Sequence, residues 1–153
     1  MTKNNKAITS FTGDYRWLSN FHYGEFHCEC AKYNPTTWKT SEHAYQAAKA
    51  TTLTDALDIS NCRTPRQAKE LGMKIKLRPN WDNLKLGIMN QILREKFKDP
   101  ELARMLKETG DVHLEEGNNH DDTYWGTVKG AGENHLGKIL MKIRSELNEQ
   151  NNK

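Results

Sequence analysis

From Ser41 onward the apolar positions recur at helical spacing, and the residues between them mark where each helix starts and stops. Trp81, Leu84, Ile88, Ile92 and Phe97, with Met89 and Leu93 beside them, form one stripe that predicts the longest helix, from about Trp81 to Phe97. A second stripe of Leu136, Ile139, Leu140, Ile143 and Leu147 predicts a last helix beginning near Asn134, with the terminal NEQNNK as a frayed, solvated end. Thr64-Pro65, then RQAKEL and Gly72, spell an N-cap, a first-turn proline, a short helix and a C′ glycine. Asp99-Pro100, ELARMLKET and Gly110 repeat that grammar. Before Ser41 the period changes to two: Phe26, Cys28 and Cys30 alternate with His27 and Glu29, which predicts a short strand, with AITSF as a second. HLEE, after Val112, is a further strand candidate. The expected fold is α+β but mainly α, a compact helical body with a small antiparallel β element near the N-terminus. No internal repeat, low-complexity tract or linker interrupts it.

The helical segment SEHAYQAAK separates its residues sharply. Wound at about 100° per residue, it puts Glu42, Tyr45, Gln46 and Lys49 on one side and Ala44, Ala47 and Ala48 on the other, with His43 between. Ser41 is the expected N-cap, and Glu42 lies at the positive end of the helix dipole. The polar side is either a wet face, or the lining of a site with the alanines packed on the long helix near Ile88. Glu42 and Lys49 are two turns apart, beyond the reach of a stabilising i,i+4 pair, which weakens the wet-face account.

Three other stretches hold polar and aromatic residues more densely than folding requires: DYRWLSNF, LRPNWDNLK and NNHDDTYWGTVKGAGENHLG. The last gathers Asp121, Asp122, Trp125, Gly126, Gly130 and Gly132 into a long loop ahead of the final helix. Its glycines would let N–H groups approach a ligand, and the helix start would favour phosphate; the plainer alternative is a flexible loop pinned by one buried Trp. Trp17 and Trp81 are core residues by default, with a stacking wall for a heterocycle as the alternative.

Bulk properties narrow the class. A chain of 153 residues suits a single domain, and 35% hydrophobic against 28% charged residues is polar, yet four Trp, five Tyr and four Phe supply a core. The net charge of +3 is scattered among acids, so charge alone does not mark a nucleic-acid binder. Three cysteines without zinc-like spacing predict reduced structural thiols, and no histidine pair has metal-ligand spacing. No apolar run reaches the roughly 20 residues of a membrane span, and the start, MTKNNKAITSF, lacks a signal peptide's apolar centre. The expectation is a soluble cytoplasmic monomer, with no membrane association, metal or cofactor.

Taken together and in order, RWLSNF, TSEHAYQAAK, TPRQAKELG, LRPNWDNLK, MNQILREKF, LKETGDVHLEEGNNHDDTYWG and NHLGKILMKIR resemble the YbiA-like family, also called NADAR for its association with NAD and ADP-ribose. The resemblance runs from about Phe11 to Leu147 and implies one YbiA-like domain over 1–153 acting as an N-glycosidase. Members hydrolyse the N-glycosidic bond of ribosylaminopyrimidine phosphates from early riboflavin biosynthesis, or remove ADP-ribose from guanine bases in DNA. Cleaving such a bond builds positive charge on the ribose and calls for a carboxylate near C1′. Glu42, in the family's Ser-Glu-His motif, is the first choice for it and Asp122 the second. Lys49 would either attack a ring-opened ribose at C1′ or pair with phosphate or a carboxylate. Trp81 or Trp125 would stack on the heterocycle, and Arg16, Arg78 or the glycine-loop N–H groups would hold phosphate; Trp17, Asn20, Tyr45 and Gly126 complete the implied binding set. Three functions stay open: a small-molecule N-glycosidase, a glycohydrolase of ADP-ribosylated DNA, and a non-enzymatic ADP-ribose or NAD-binding module.

Overall fold

The computed structural model describes residues 6–33 and 35–150, which form one 3-10 helix, two short strands and six α-helices. The first five residues of MTKNNKAITSF and the last three of NEQNNK lie outside the described residues. The chain gathers into two compact units, Asn20–Lys96 and a second drawn from both ends of the chain.

In the unit Asn20–Lys96 the elements run β1 (Phe26–His27), β2 (Thr37–Trp38), α1 (Ser41–Ala48), α2 (Leu53–Ser60), α3 (Pro65–Gly72) and α4 (Trp81–Lys96). The strands pair antiparallel with Phe26 opposite Trp38 and His27 opposite Thr37. The expected strand over EFHCEC is thus shorter, although Cys28 still donates its N–H to the Thr36 carbonyl at 2.8 Å. Trp38 anchors the pair: it is buried, and its indole N–H donates to the Cys28 carbonyl at 2.9 Å. Helix α1 packs against α2, α3, α4 and β2. Its N-cap is Thr40 rather than Ser41, because the Thr40 hydroxyl accepts the His43 N–H while Ser41 turns to Asn20. Thr64 forms the full capping box with Gln67 that opens α3. Gly72 is the last residue of α3, not a residue beyond it; Met73 is the C-cap in ordinary right-handed conformation. Helix α2 has only Ala56 and Ile59 buried, too short a stripe to be read from periodicity. Helix α4 spans the expected segment, burying Trp81, Met89, Ile92 and Leu93 while Leu84 is exposed.

The other unit holds the 3-10 helix Gly13–Leu18, α5 (Pro100–Glu108) and α6 (His135–Gln150). Asp99 caps α5, its carboxylate accepting the N–H groups of Glu101 and Leu102 at 2.9 and 3.1 Å, and Gly110 follows the helix at φ 71°. Arg144 on α6 is buried and donates to the Thr109 hydroxyl at 2.9 Å and the Val112 carbonyl at 2.8 Å, fixing the chain that leaves α5. AITSF and HLEE do not become full strands. They meet in one parallel bridge, Ile8 to Leu114, before Gly13 turns the chain into the 3-10 helix. NEQ belongs to α6 rather than to a frayed end.

Candidate active site

Every residue of α1 from Ser41 to Ala48 is buried, so the polar side of this helix is not a wet face. Glu42, in its first turn, is 7% exposed, and Gln46, one turn on, donates from Nε2 to Glu42 Oε1 at 2.7 Å. Asn20 steadies the same turn: its carbonyl accepts the Glu42 N–H at 3.0 Å, and its side-chain oxygen accepts the Ser41 hydroxyl at 2.8 Å. The Asn20 amide nitrogen lies 3.6 Å from the Met89 sulfur, so this buried side chain ties the start of α1 to α4.

Lys49 follows α1 as its C-cap residue and is half-buried. Its Nζ stands 5.3 Å from the centre of the Tyr45 ring, which is tilted against Trp81 at 5.4 Å between ring centres. Both rings are buried. Burial pushes the Lys49 pKa down; the charge of Glu42 opposes this, and the nearby charges of Lys69 and Lys85 reinforce it. Arg78 completes the end of the helix, its guanidinium donating to the Ala48 carbonyl at 3.2 Å and its N–H to the Lys49 carbonyl at 2.8 Å. A carboxylate, a lysine of reduced basicity and an aromatic pair thus line one short helix, within reach of the positive charges of Lys69 and Lys85.

Asp122, Trp125, Gly126, Arg16 and Trp17 belong to the other unit. Asp122 Oδ1 accepts the N–H groups of Tyr124 and Trp125 at 3.1 and 2.9 Å. Trp125 is half-buried, edge-on to Tyr124 at 4.8 Å between ring centres. Gly126 is required by a close crossing, since a Cβ there would lie 1.9 Å from the Glu116 carbonyl oxygen. The N–H groups at the start of α6 do not point into an open loop: those of Glu133, Asn134, His135 and Leu136 donate to the carbonyls of Thr123, Gly126, Tyr124 and Trp125. This corrects the expectation of a phosphate cradle at that helix start, because the chain's own carbonyls occupy it. Trp17 is a core residue, donating to the Asp14 carbonyl at 3.0 Å and set edge-on to Phe97, while Arg16 is exposed.

Four residues near Glu42 and Lys49 had no place among the expected site residues. Gln46 was discoverable, four positions after Glu42 on the same stripe. Gly72 reads as a helix terminator, while Lys69 stands in the short RQAKEL helix and Lys85 in LRPNWDNLK without a role assigned to either. Among the described residues, no three His, Cys, Asp or Glu side chains gather as a metal would need.

Residues 9–148 match the family model of the NADAR domain. The chain is 36% identical over 142 residues to the N-glycosidase YbiA of Escherichia coli (strain K12), covering 90% of this chain and 85% of that protein. It is 37% identical over 140 residues to an N-glycosidase of Nostoc punctiforme, covering 87% and 86% respectively. A riboflavin biosynthesis protein of Vibrio vulnificus is 37% identical over 118 residues; the match covers 74% of this chain but only 32% of that longer protein. The fold matches the NMR structure of E. coli YbiA with a TM-score of 0.80 at 32% identity, over 99% of this chain and 89% of that one.

Proposed function

This chain belongs to the NADAR domain family, and from that premise we propose that it is an N-glycosidase hydrolysing the bond between a ribosyl C1′ and a base or amine nitrogen in the phosphorylated ribosylaminopyrimidines of riboflavin biosynthesis. Similarity over most of their length to two proteins named N-glycosidases supports the reaction class. The name of the Vibrio protein supports the pathway. The observation that carries the reading is the buried Glu42 carboxylate, held by Gln46, with Lys49 following on the same side of α1.

In this proposal Glu42 stabilises the positive charge that grows at C1′ and O4′ as the C–N bond breaks, in surroundings dry enough to strengthen that interaction. The departing nitrogen leaves with a proton, and water supplies the hydroxyl that C1′ gains. Lys69 and Lys85 suit the 5′ phosphate, and Trp81 with Tyr45 offers the aromatic surface. Asp122, the second candidate carboxylate, is only half-buried and braces its own loop by accepting two backbone N–H groups, whereas Glu42 is buried, which favours Glu42 as the working carboxylate. Lys49 has two possible parts: holding phosphate, or adding through its neutral amine to C1′ of the ring-opened sugar, expelling the base amine and leaving an imine that water hydrolyses. The same proposal makes the protein a cytoplasmic monomer without a cofactor. No helix among the described residues is long and apolar enough to cross a membrane.

The positive charges of Lys69 and Lys85 acting on Lys49 also favour a second substrate, ADP-ribosylated guanine in DNA, which brings more than one phosphate. Against a binding-only module stands the buried carboxylate, which would repel a diphosphate unless it had chemistry to perform. The deciding experiment offers a ribosylaminopyrimidine phosphate and an ADP-ribosylated guanine oligonucleotide side by side and follows base release by mass spectrometry. We expect release from the first, and its loss, by about 10³-fold or more, in a folded Glu42→Gln variant. Binding of both without release would establish the module, and near-normal turnover by Glu42→Gln would remove Glu42 from the mechanism.

A further inference from the structure

We infer that Gln46 is the positioning residue of the Glu42 carboxylate, and that Gly72, on a separate helix, exists to hold the Gln46 amide in place. This rests on the reading of Glu42 as the catalytic carboxylate and adds to it the residues that aim it. The starting observation is an asymmetry in the Gln46 amide. The side chain is 3% exposed; its nitrogen donates to Glu42 Oε1 at 2.7 Å, while its oxygen is buried with no hydrogen-bond partner. A buried acceptor without a donor is costly, and folds tolerate one where the rest of the group is needed for something else.

The amide orientation follows from the chemistry of its neighbour. An ionised carboxylate only accepts hydrogen bonds, so the NH2 end must face Glu42; turning the amide over would set two oxygens against each other. Gln46 therefore favours the ionised form of Glu42 and fixes the direction in which one of its oxygens points.

Gly72 supplies the second half. Its φ is not in the left-handed region, so the backbone there does not call for glycine, and glycine weakens a helix. What calls for it is space: a Cβ on residue 72 would lie 2.0 Å from Gln46 Oε1, 2.8 Å from its Cδ and 3.1 Å from its Cβ. The amide could avoid an added methyl only by swinging, and because oxygen and nitrogen share one rigid plane, that swing takes the nitrogen off Glu42. Helix α3, which contacts α1, thereby sets the aim of a carboxylate with which Gly72 has no direct bond.

The test compares kcat, KM and the pH profile of base release for the wild-type protein, Gln46→Met, Gln46→Glu and Gly72→Ala. Loss of one hydrogen bond to a charged group should lower kcat roughly 10- to 100-fold, change KM far less, and move the acid limb of the profile about one pH unit upward. Gly72→Ala should shift the limb in the same direction. Adding Gly72→Ala to Gln46→Ala, in which the Oε1 and Cδ atoms it would displace are absent, should cost little more. In the wild-type protein the Gln46 side-chain NH2 resonances should follow the titration of Glu42, a readout independent of whether any variant folds. A wild-type pH profile in Gln46→Met, additive losses in the double variant, or NH2 signals indifferent to the Glu42 titration would each overturn the inference. An active Glu42→Gln would instead overturn the reading beneath it, so the two failures are told apart.

Discussion

At Lys49 burial and Glu42 pull in opposite directions. Burial, the larger effect, disfavours the ammonium, Glu42 favours it, and Lys69 and Lys85 side with burial. The net lowering means the amine sheds its proton at a lower pH than an ordinary lysine near 10.4. If Lys49 attacks C1′, activity should rise with pH toward that lowered value and level off above it; if it holds phosphate, activity should fall across the same interval. In the nucleophilic case borohydride added during turnover should trap a sugar adduct on Lys49. An active Lys49→Ala with no adduct in the wild-type protein excludes that role.

Helix α1 carries a second titrating group whose effect belongs to the element as a whole. The Thr40 hydroxyl accepts the His43 N–H at 3.1 Å and meets Nδ1 at 2.7 Å, while Nε2 lies 2.9 Å from the Cys62 carbonyl. A carbonyl only accepts, so Nε2 carries the hydrogen and Nδ1 accepts from Thr40; the ring is satisfied in its neutral form. Burial lowers the His43 pKa below its ordinary 6.5, the Cys62 carbonyl opposes this, and Lys39 adds to the lowering. The unfolded chain therefore takes up the proton first, so stability is complete above about pH 6.5 and declines as pH falls through the folded-state value. We expect the melting temperature to drop over that acid window, and His43→Gln to show a smaller drop there. An unchanged slope in the variant would show that His43 does not couple α1 to pH.

For the molecule as a whole, a net charge of +3 is too small to steer nucleic acid by itself, and the pairs of Arg104 with Glu101 and Glu108 and of Arg66 with Glu70 are exposed. Substrate preference should therefore show in salt dependence. Raising salt from about 50 to 200 mM should weaken KM only mildly for a ribosylaminopyrimidine phosphate, whereas a DNA substrate neutralised at several phosphates should lose affinity by orders of magnitude. A steep slope with the oligonucleotide, together with faster release from it, would move the physiological substrate to DNA.

The sequence by itself determined the local features: the helix starts at Thr64 and Asp99, the stop at Gly110, and the span of α4. Each is written within a turn or two of the chain, where capping hydrogen bonds and the 3.6-residue period act. It also separated the two sides of α1, and its ordered motifs pointed to the family that the relatives support. What it could not decide was whether the polar side of α1 meets water, because that depends on α2, α3 and α4, which come later in the chain and pack around it. The same distance in sequence hid Gly72, whose reason lies 26 positions earlier at Gln46, and the start of α6, whose N–H groups are met by carbonyls of the loop folded back on it. Tertiary structure made these choices because close approach and exclusion of water are properties of neighbours in space.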